Sequence, residues 1–310
     1  MNALTSFLTY LGKAWALLGR GGGSDALMLR DLFLAAASPA ANKDPLQGAT
    51  LYNAMAEFVD NARLQNGRFL AMKLQSKGSW DIAAQGQEIV DYYRQIAVTP
   101  APPQNEWQAR AQKKLPFEYV HVYPVNHQRG SDWRIGLNVV PGDIARSMGL
   151  VRPLLTQANA IDHVKFQTPG KANKCDTVLF FIRKDGTYDV LRGQIVAIAD
   201  QLAMQPGVGA MWQEDPNKPG FGEAANPPPE LTRNIGFTEY RCLVVYLAYR
   251  TCLGPRYADF LTHLAQLMPL FGLDFENPQL QGPLSARLSE DCSGYLELYR
   301  AYKNAWVPDQ

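Results

Sequence analysis

Polar and apolar positions fall into sharp periods between Ser131 and Arg183. From Trp133 to Val140, Ile135, Leu137 and Val139 alternate with Arg134, Gly136 and Asn138, the two-residue period of a strand with one buried face. Pro141 and Gly142 break the alternation. Asp143 then stands where a helix N-cap belongs, and Ile144, Met148, Val151 and Leu155 form one apolar stripe of an amphipathic helix. The segments Ile161 to Phe166 and Lys174 to Arg183 read as two further strands. After the turn Lys184-Asp185-Gly186, Leu191, Ile195, Ile198 and Leu202 mark a second helix.

Upstream, helical periods cover residues 3–18, 25–37, 51–66 and 82–96, the last apolar at Ile82, Ile89, Val90, Tyr93 and Ile96. They predict a helical N-terminal unit over residues 1–98, closed by the linker Thr99-Pro100-Ala101-Pro102-Pro103. The chain turns β-rich from Phe117 to Val125. Residues 206–236 hold six prolines and five glycines without a period, which predicts a functional or disordered loop. Helices return at 238–253, 257–271 and 285–304, with Tyr240, Val244 and Leu247 as core. Helices first, then a mainly antiparallel sheet of about four to six strands flanked by helices, make an α+β chain with its second domain at 117–310.

Composition narrows the function. A 310-residue chain with 46% hydrophobic and 19% charged residues suits an ordered globular protein. Its net charge of +1 argues against a broad nucleic-acid-binding face. The cations are instead concentrated: residues 121–183 carry eight Lys/Arg against four Asp, a local +4. Cys175, Cys242, Cys252 and Cys292 have no metal-ligand or CxxC spacing, so no metal site is expected and a reduced cytoplasmic chain fits. The apolar run Ala3 to Leu18 carries Lys13, has no basic flank before it and ends in a glycine-rich break at 19–23. It predicts neither a signal peptide nor a membrane span. Helical packing is expected to begin within a few residues of Met1, leaving no disordered secretion leader. Gly21 to Gly23 follow no strand and precede no GK[ST], so they read as a linker rather than a phosphate loop.

There is no GxGxxG after a strand, no GxSxG and no HExxH. Cations on strands remain. His163 and Lys165, two apart, project from one face of their strand; Arg134 lies on the polar side of the first strand, and Arg241 opens a later helix. Converging Arg and Lys side chains hold a phosphate dianion, Arg through paired bonds and Lys as a point charge. Singly, each such cation reads as a surface charge and His163 as a hydrogen-bonded structural residue.

Taken together, WRIGLNVVPGDI, DHVKF, CDTVLFFIR, FTEYRC and FGLDFENPQL resemble the HopA-type effector family over roughly residues 117–282. Those proteins are type III secreted effectors, and related domains are lyase components of lanthipeptide and thioamitide biosynthesis. At lower similarity the region looks like the phosphothreonine lyases of the OspF and SpvC type, which remove phosphate by β-elimination. That resemblance implies Lys165 as general base and Arg134, Lys171, Arg183 and Arg241 as phosphate ligands, with no cofactor; His163, on the same strand face as Lys165, is the candidate acid or support. The lyase histidine would fall on Gly136 and a lyase tyrosine on Phe181, so the anion clamp matches better than the acid.

Two functions follow as expectations. One is a lyase that expels phosphate from a phosphoserine or phosphothreonine peptide, leaving dehydroalanine or dehydrobutyrine, with a separate kinase-like protein supplying the phosphopeptide and the 206–236 loop closing over it. The other is a non-catalytic effector, secreted into a host cell by a type III system, that binds a host protein through the phosphate pocket. Neither reading calls for nucleic acid or a membrane.

Overall fold

The computed structural model describes residues 3–19, 71–76, 79–85, 119–124, 130–157, 160–167, 175–232 and 236–306. The expected helices at 25–37 and 51–66, most of that at 82–96, the linker at 99–103 and Lys171 lie outside the described residues. The described elements are α1 (Ala3–Leu18), β1 (Ala71–Ser76), β2 (Ser79–Gln85), β3 (Tyr119–Tyr123), β4 (Trp133–Leu137), α2 (Ile144–Gln157), β5 (Ile161–Gln167), β6 (Val178–Ile182) and α3 (Tyr188–Ala199). They continue with β7 (Gln213–Glu214), β8 (Phe221–Ala225), α4 (Pro229–Thr232), α5 (Phe237–Thr251), α6 (Tyr257–Leu267) and α7 (Ser293–Trp306).

The chain forms two compact units that interleave in sequence. One holds β1 to β6, α2 and α3, and takes in Lys218–Phe221; the other holds α1, Val208–Asn217 and everything from Gly222 on. In the first, six strands follow one another in the order β2-β1-β3-β5-β6-β4, every neighbouring pair antiparallel. The α+β expectation holds. One local reading changes: residues 82–85, taken as the start of a helix, belong to β2, which pairs Ser79 with Ser76 of β1. The helical stripe read there rested on Ile89 to Ile96, whereas the strand pair forms across two intervening residues ending in glycine, a hairpin signal.

Alternation gives this sheet an apolar face of Val122, Ile135, Leu137, Val164, Phe166, Val178, Phe180 and Ile182, all fully buried. Helix α2 packs against β5 and α3, and its stripe Ile144, Met148, Val151 and Leu155 is buried as its spacing predicts. Asp143 does not cap its own helix through a side-chain bond seen here; its Oδ2 accepts from the backbone N–H of Ala203 at 2.7 Å. The polar side of β4 is buried as well. Asn138 exchanges backbone hydrogen bonds with Gly220 (2.8 Å) and Gln205 (2.7 Å), and its Nδ2 donates to the Gly207 carbonyl at 3.0 Å.

That contact changes the reading of residues 206–236. Gly220, at φ +84°, sits so close to Gln205 that a Cβ would lie 2.1 Å from its carbonyl oxygen, so only glycine fits. In the other unit Val208, Ala210, Met211, Trp212, Ala224, Ala225 and Leu231 are buried, β7 pairs with β8, and the Trp212 ring lies 5.3 Å from Phe237. The segment is built into both cores. The prolines and glycines shape tight turns rather than a free lid.

Helix α5 is buried along most of its length, with Phe237, Tyr240, Leu243, Val244, Val245, Leu247 and Ala248 all inside, which makes it the core of its unit. Helices α6 and α7 pack on it. From α1, Trp15 meets Tyr249 and Phe260 at 5.6 and 5.3 Å between ring centroids, and Tyr10 donates to the Cys242 sulfur at 3.4 Å.

Candidate phosphate-binding site

The register of β3, β5, β6 and β4 decides which side chains share the polar face. Lys165 pairs with His121 of β3 and Leu179 of β6; His163 pairs with Phe181, which pairs in turn with Arg134 of β4. Paired residues in antiparallel strands point to the same side. His121, His163, Lys165, Phe181 and Arg134 therefore share one face across four strands, a row two rungs wide with Lys165 and His121 on one rung and His163, Phe181 and Arg134 on the next. Packing agrees: the His163 and Phe181 rings stack at 3.9 Å, the Arg134 guanidinium lies 5.0 Å from the Phe181 centroid, and the two imidazoles are 5.4 Å apart.

Asp162 joins the row through a backbone irregularity. Between Ile161 and His163, β5 advances two residues while β6 advances one, so Asp162 is the extra residue of a β-bulge. Its Oδ2 meets His163 Nδ1 at 2.7 Å. A carboxylate accepts, so Nδ1 carries the proton and Nε2 is the acceptor nitrogen of the neutral ring. Burial lowers the His163 pKa below its ordinary value; the Asp162 bond and charge oppose this, and the Arg134 and Lys165 charges add to it. Both cations thus reach the imidazole electrostatically. Lys165 Nζ has a counter-charge in Asp176 Oδ2 at 3.7 Å. Side chains of Asp162, His163, Lys165 and Asp176 are between 12 and 15% exposed, so solvent reaches the row without flooding it.

The structure thus brings Arg134, His163 and Lys165 together. Arg183 lies just past the end of β6, half-buried, its backbone N–H donating to Ala160. Gly136 pairs with Leu179 and has no side chain to donate a proton, while Phe181 is the ring on which His163 stacks. Arg241 belongs to the other unit and is fully buried there. Its guanidinium lies 3.8 Å over the Phe237 ring and Nη2 donates to the Ala225 carbonyl at 3.3 Å, while Nε and Nη1 are buried without a hydrogen bond. Burial pushes its pKa down to about 9. In this arrangement the Arg241 head is enclosed by its own unit and presents nothing to a solvent anion.

Sequence reasoning missed His121 and Asp162. His121 is the one polar residue in the run Val120 to Val122, but only the pairing of β3 with β5 puts it beside Lys165. Asp162 reads as belonging to the opposite face until the bulge is known. Among the described residues no group of three His, Cys, Asp or Glu side chains could hold a metal ion, and no helix is long and apolar enough to cross a membrane.

The class so defined is an α+β protein with a cationic, histidine-containing row on one sheet face. No protein-family model and no curated protein matches the sequence. Solved structures that share its fold include two effector proteins. The effector protein from Pseudomonas syringae pv. tomato strain DC3000 superposes with a TM-score of 0.63 at 14% identity, over 91% of this chain and 99% of that one. The effector protein from Pseudomonas syringae pv. syringae strain 61 gives 0.61 at 14% identity, over 91% and 98%.

Proposed function

We propose that the chain is an effector-type protein that acts by binding a phosphorylated segment of another protein, with host-cell delivery as its route. The fold likeness to two effector proteins supports the first part. The observation that carries the second is that Lys165, on the same strand as His163, and Arg134, two strands away across Phe181, share the His163 face and both act on its charge. A phosphate dianion placed at that row meets a guanidinium and an ammonium while most water is excluded, the setting in which charge-assisted hydrogen bonds are strongest. The test is fluorescence anisotropy with a labelled phosphothreonine peptide and its unphosphorylated twin. Binding of the first alone supports the reading; equal binding of both defeats it.

A second reading, β-elimination, is favoured by one feature, an oriented imidazole on the same face as Lys165. In that chemistry Lys165 takes the Cα proton, the C–H electrons form the C=C bond, and the C–O bond breaks with its electron pair leaving on phosphate. His163, on the same face, would supply the proton that Gly136 cannot. The product, dehydroalanine or dehydrobutyrine, is the kind used in lanthipeptide and thioamitide assembly. Mass spectrometry separates the readings: a peptide returned intact supports binding alone, and loss of phosphoric acid supports the lyase. Lys165→Met divides them again, since a phosphate ligand loses affinity on substitution whereas a base loses only turnover.

A further inference from the structure

We infer that His163, held by Asp162, is itself a phosphate ligand that binds as the imidazolium, so that each anion bound brings one proton into the site. This deepens the phosphate-binding reading and rests on it.

The geometry supplies the argument. The Asp162 carboxylate holds the Nδ1 proton at 2.7 Å, so any second proton goes to Nε2. The titratable and charged groups facing this ring among the described residues are Asp162 on β5, Lys165 on β5 with its partner Asp176, Arg134 on β4 and His121 on β3. On β6 it meets the uncharged Phe181 ring. Burial lowers the ring's proton affinity, Asp162 works against this, and the charges of Arg134 and Lys165 add to it. A dianion seated between Arg134 and Lys165 sets a negative charge beside the ring, and an imidazolium then gains a charge-assisted bond to it. Asp162 keeps the ring's edge fixed through the exchange and so acts as a positioning residue. The row thus presents two permanent cations and a third recruited by the ligand. Neutral or weakly charged groups recruit none, so the selectivity is for a dianion.

Isothermal titration calorimetry of the full chain tests this, with sulfate as the probe because it stays dianionic across the pH range, and O-phosphothreonine alongside it. Near pH 7.5 the observed enthalpy should vary with the ionisation enthalpy of the buffer with the slope of about one proton taken up, and Kd should rise up to about tenfold per pH unit above neutrality. In His163→Gln, checked by thermal unfolding to be folded, binding should weaken and both dependences vanish. In Asp162→Asn the uptake should remain while affinity falls. Binding by the wild-type chain with no proton uptake overturns the inference and leaves the phosphate site standing. So does uptake that persists in His163→Gln, which would place the proton on another group such as His121. Failure of the wild-type chain to bind either anion overturns the phosphate-site reading together with this inference.

Discussion

Asp162 and His163 are consecutive residues of one strand whose side chains nevertheless meet at 2.7 Å. Neighbours in a regular strand point to opposite faces, and the bulge at Asp162 removes that restriction. One extra residue in β5 thus turns an unremarkable sequence pair into an oriented carboxylate–imidazole couple. It also leaves Lys165 on the same face, because the irregularity precedes His163.

That couple sets a pH dependence of stability. The folded-state pKa of His163 lies below its unfolded value, so between the two the unfolded chain binds more protons and stability rises with pH. Acidification from about pH 7.5 through the ordinary histidine range near 6.5 should lower Tm, and His163→Gln should show a shallower decline over the same interval. Thermal unfolding at a series of pH values measures both.

Phosphate affinity should depend on the row rather than on total charge. Arg134→Ala and Lys165→Met each remove a charge-assisted contact, so phosphothreonine-peptide affinity should fall by about ten- to a hundredfold. Arg250→Ala removes a cation from the exposed end of α5 and should leave Kd unchanged. Anisotropy titrations at fixed ionic strength compare the three.

Gly220→Ala should be costly. A methyl group there meets the Gln205 carbonyl at 2.1 Å in a left-handed backbone conformation, so a loss of about 3 kcal/mol is expected. Gly186→Ala, exposed with nothing near its missing Cβ, should stay within about 0.5 kcal/mol. Urea denaturation reads the difference.

Arg241 predicts the opposite sign. Its guanidinium is fully buried with two nitrogens unsatisfied, and desolvation of such a charge is expensive. Arg241→Met keeps most of the volume and the contact with Phe237 without the charge, and should be neutral or more stable by about 1 kcal/mol or more in urea. A marked loss of stability would show that the charge itself holds α5 in place.

Local periodicity was enough to read β4, β5, β6, α2 and α3, because each carries its burial pattern within its own residues. It failed where burial is decided by distant partners. In residues 206–236, Val208, Met211 and Trp212 are core residues without a period, since turns rather than a helix or strand face deliver them inward. The cationic row was half legible: Arg134, His163 and Lys165 follow from alternation and the resemblance. His121 needs the β3–β5 register and Asp162 needs a bulge, and neither is written in the spacing of one strand. A cation near a helix start ordinarily faces water, whereas Arg241 stands in the run Tyr240 to Val245 of α5, buried throughout.

Interleaving of the two units fixes the order in which the newborn chain finds its contacts. Helix α1 is made well before its partners: Trp15 packs on Tyr249, Tyr257 and Phe260, roughly 240 residues later in synthesis. At ordinary translation speeds its apolar stripe stays without those partners for roughly 10 to 50 s. The strand unit cannot close before Phe221 emerges, and the helical unit must wait for α7. A truncation from either end therefore removes part of a core rather than a module.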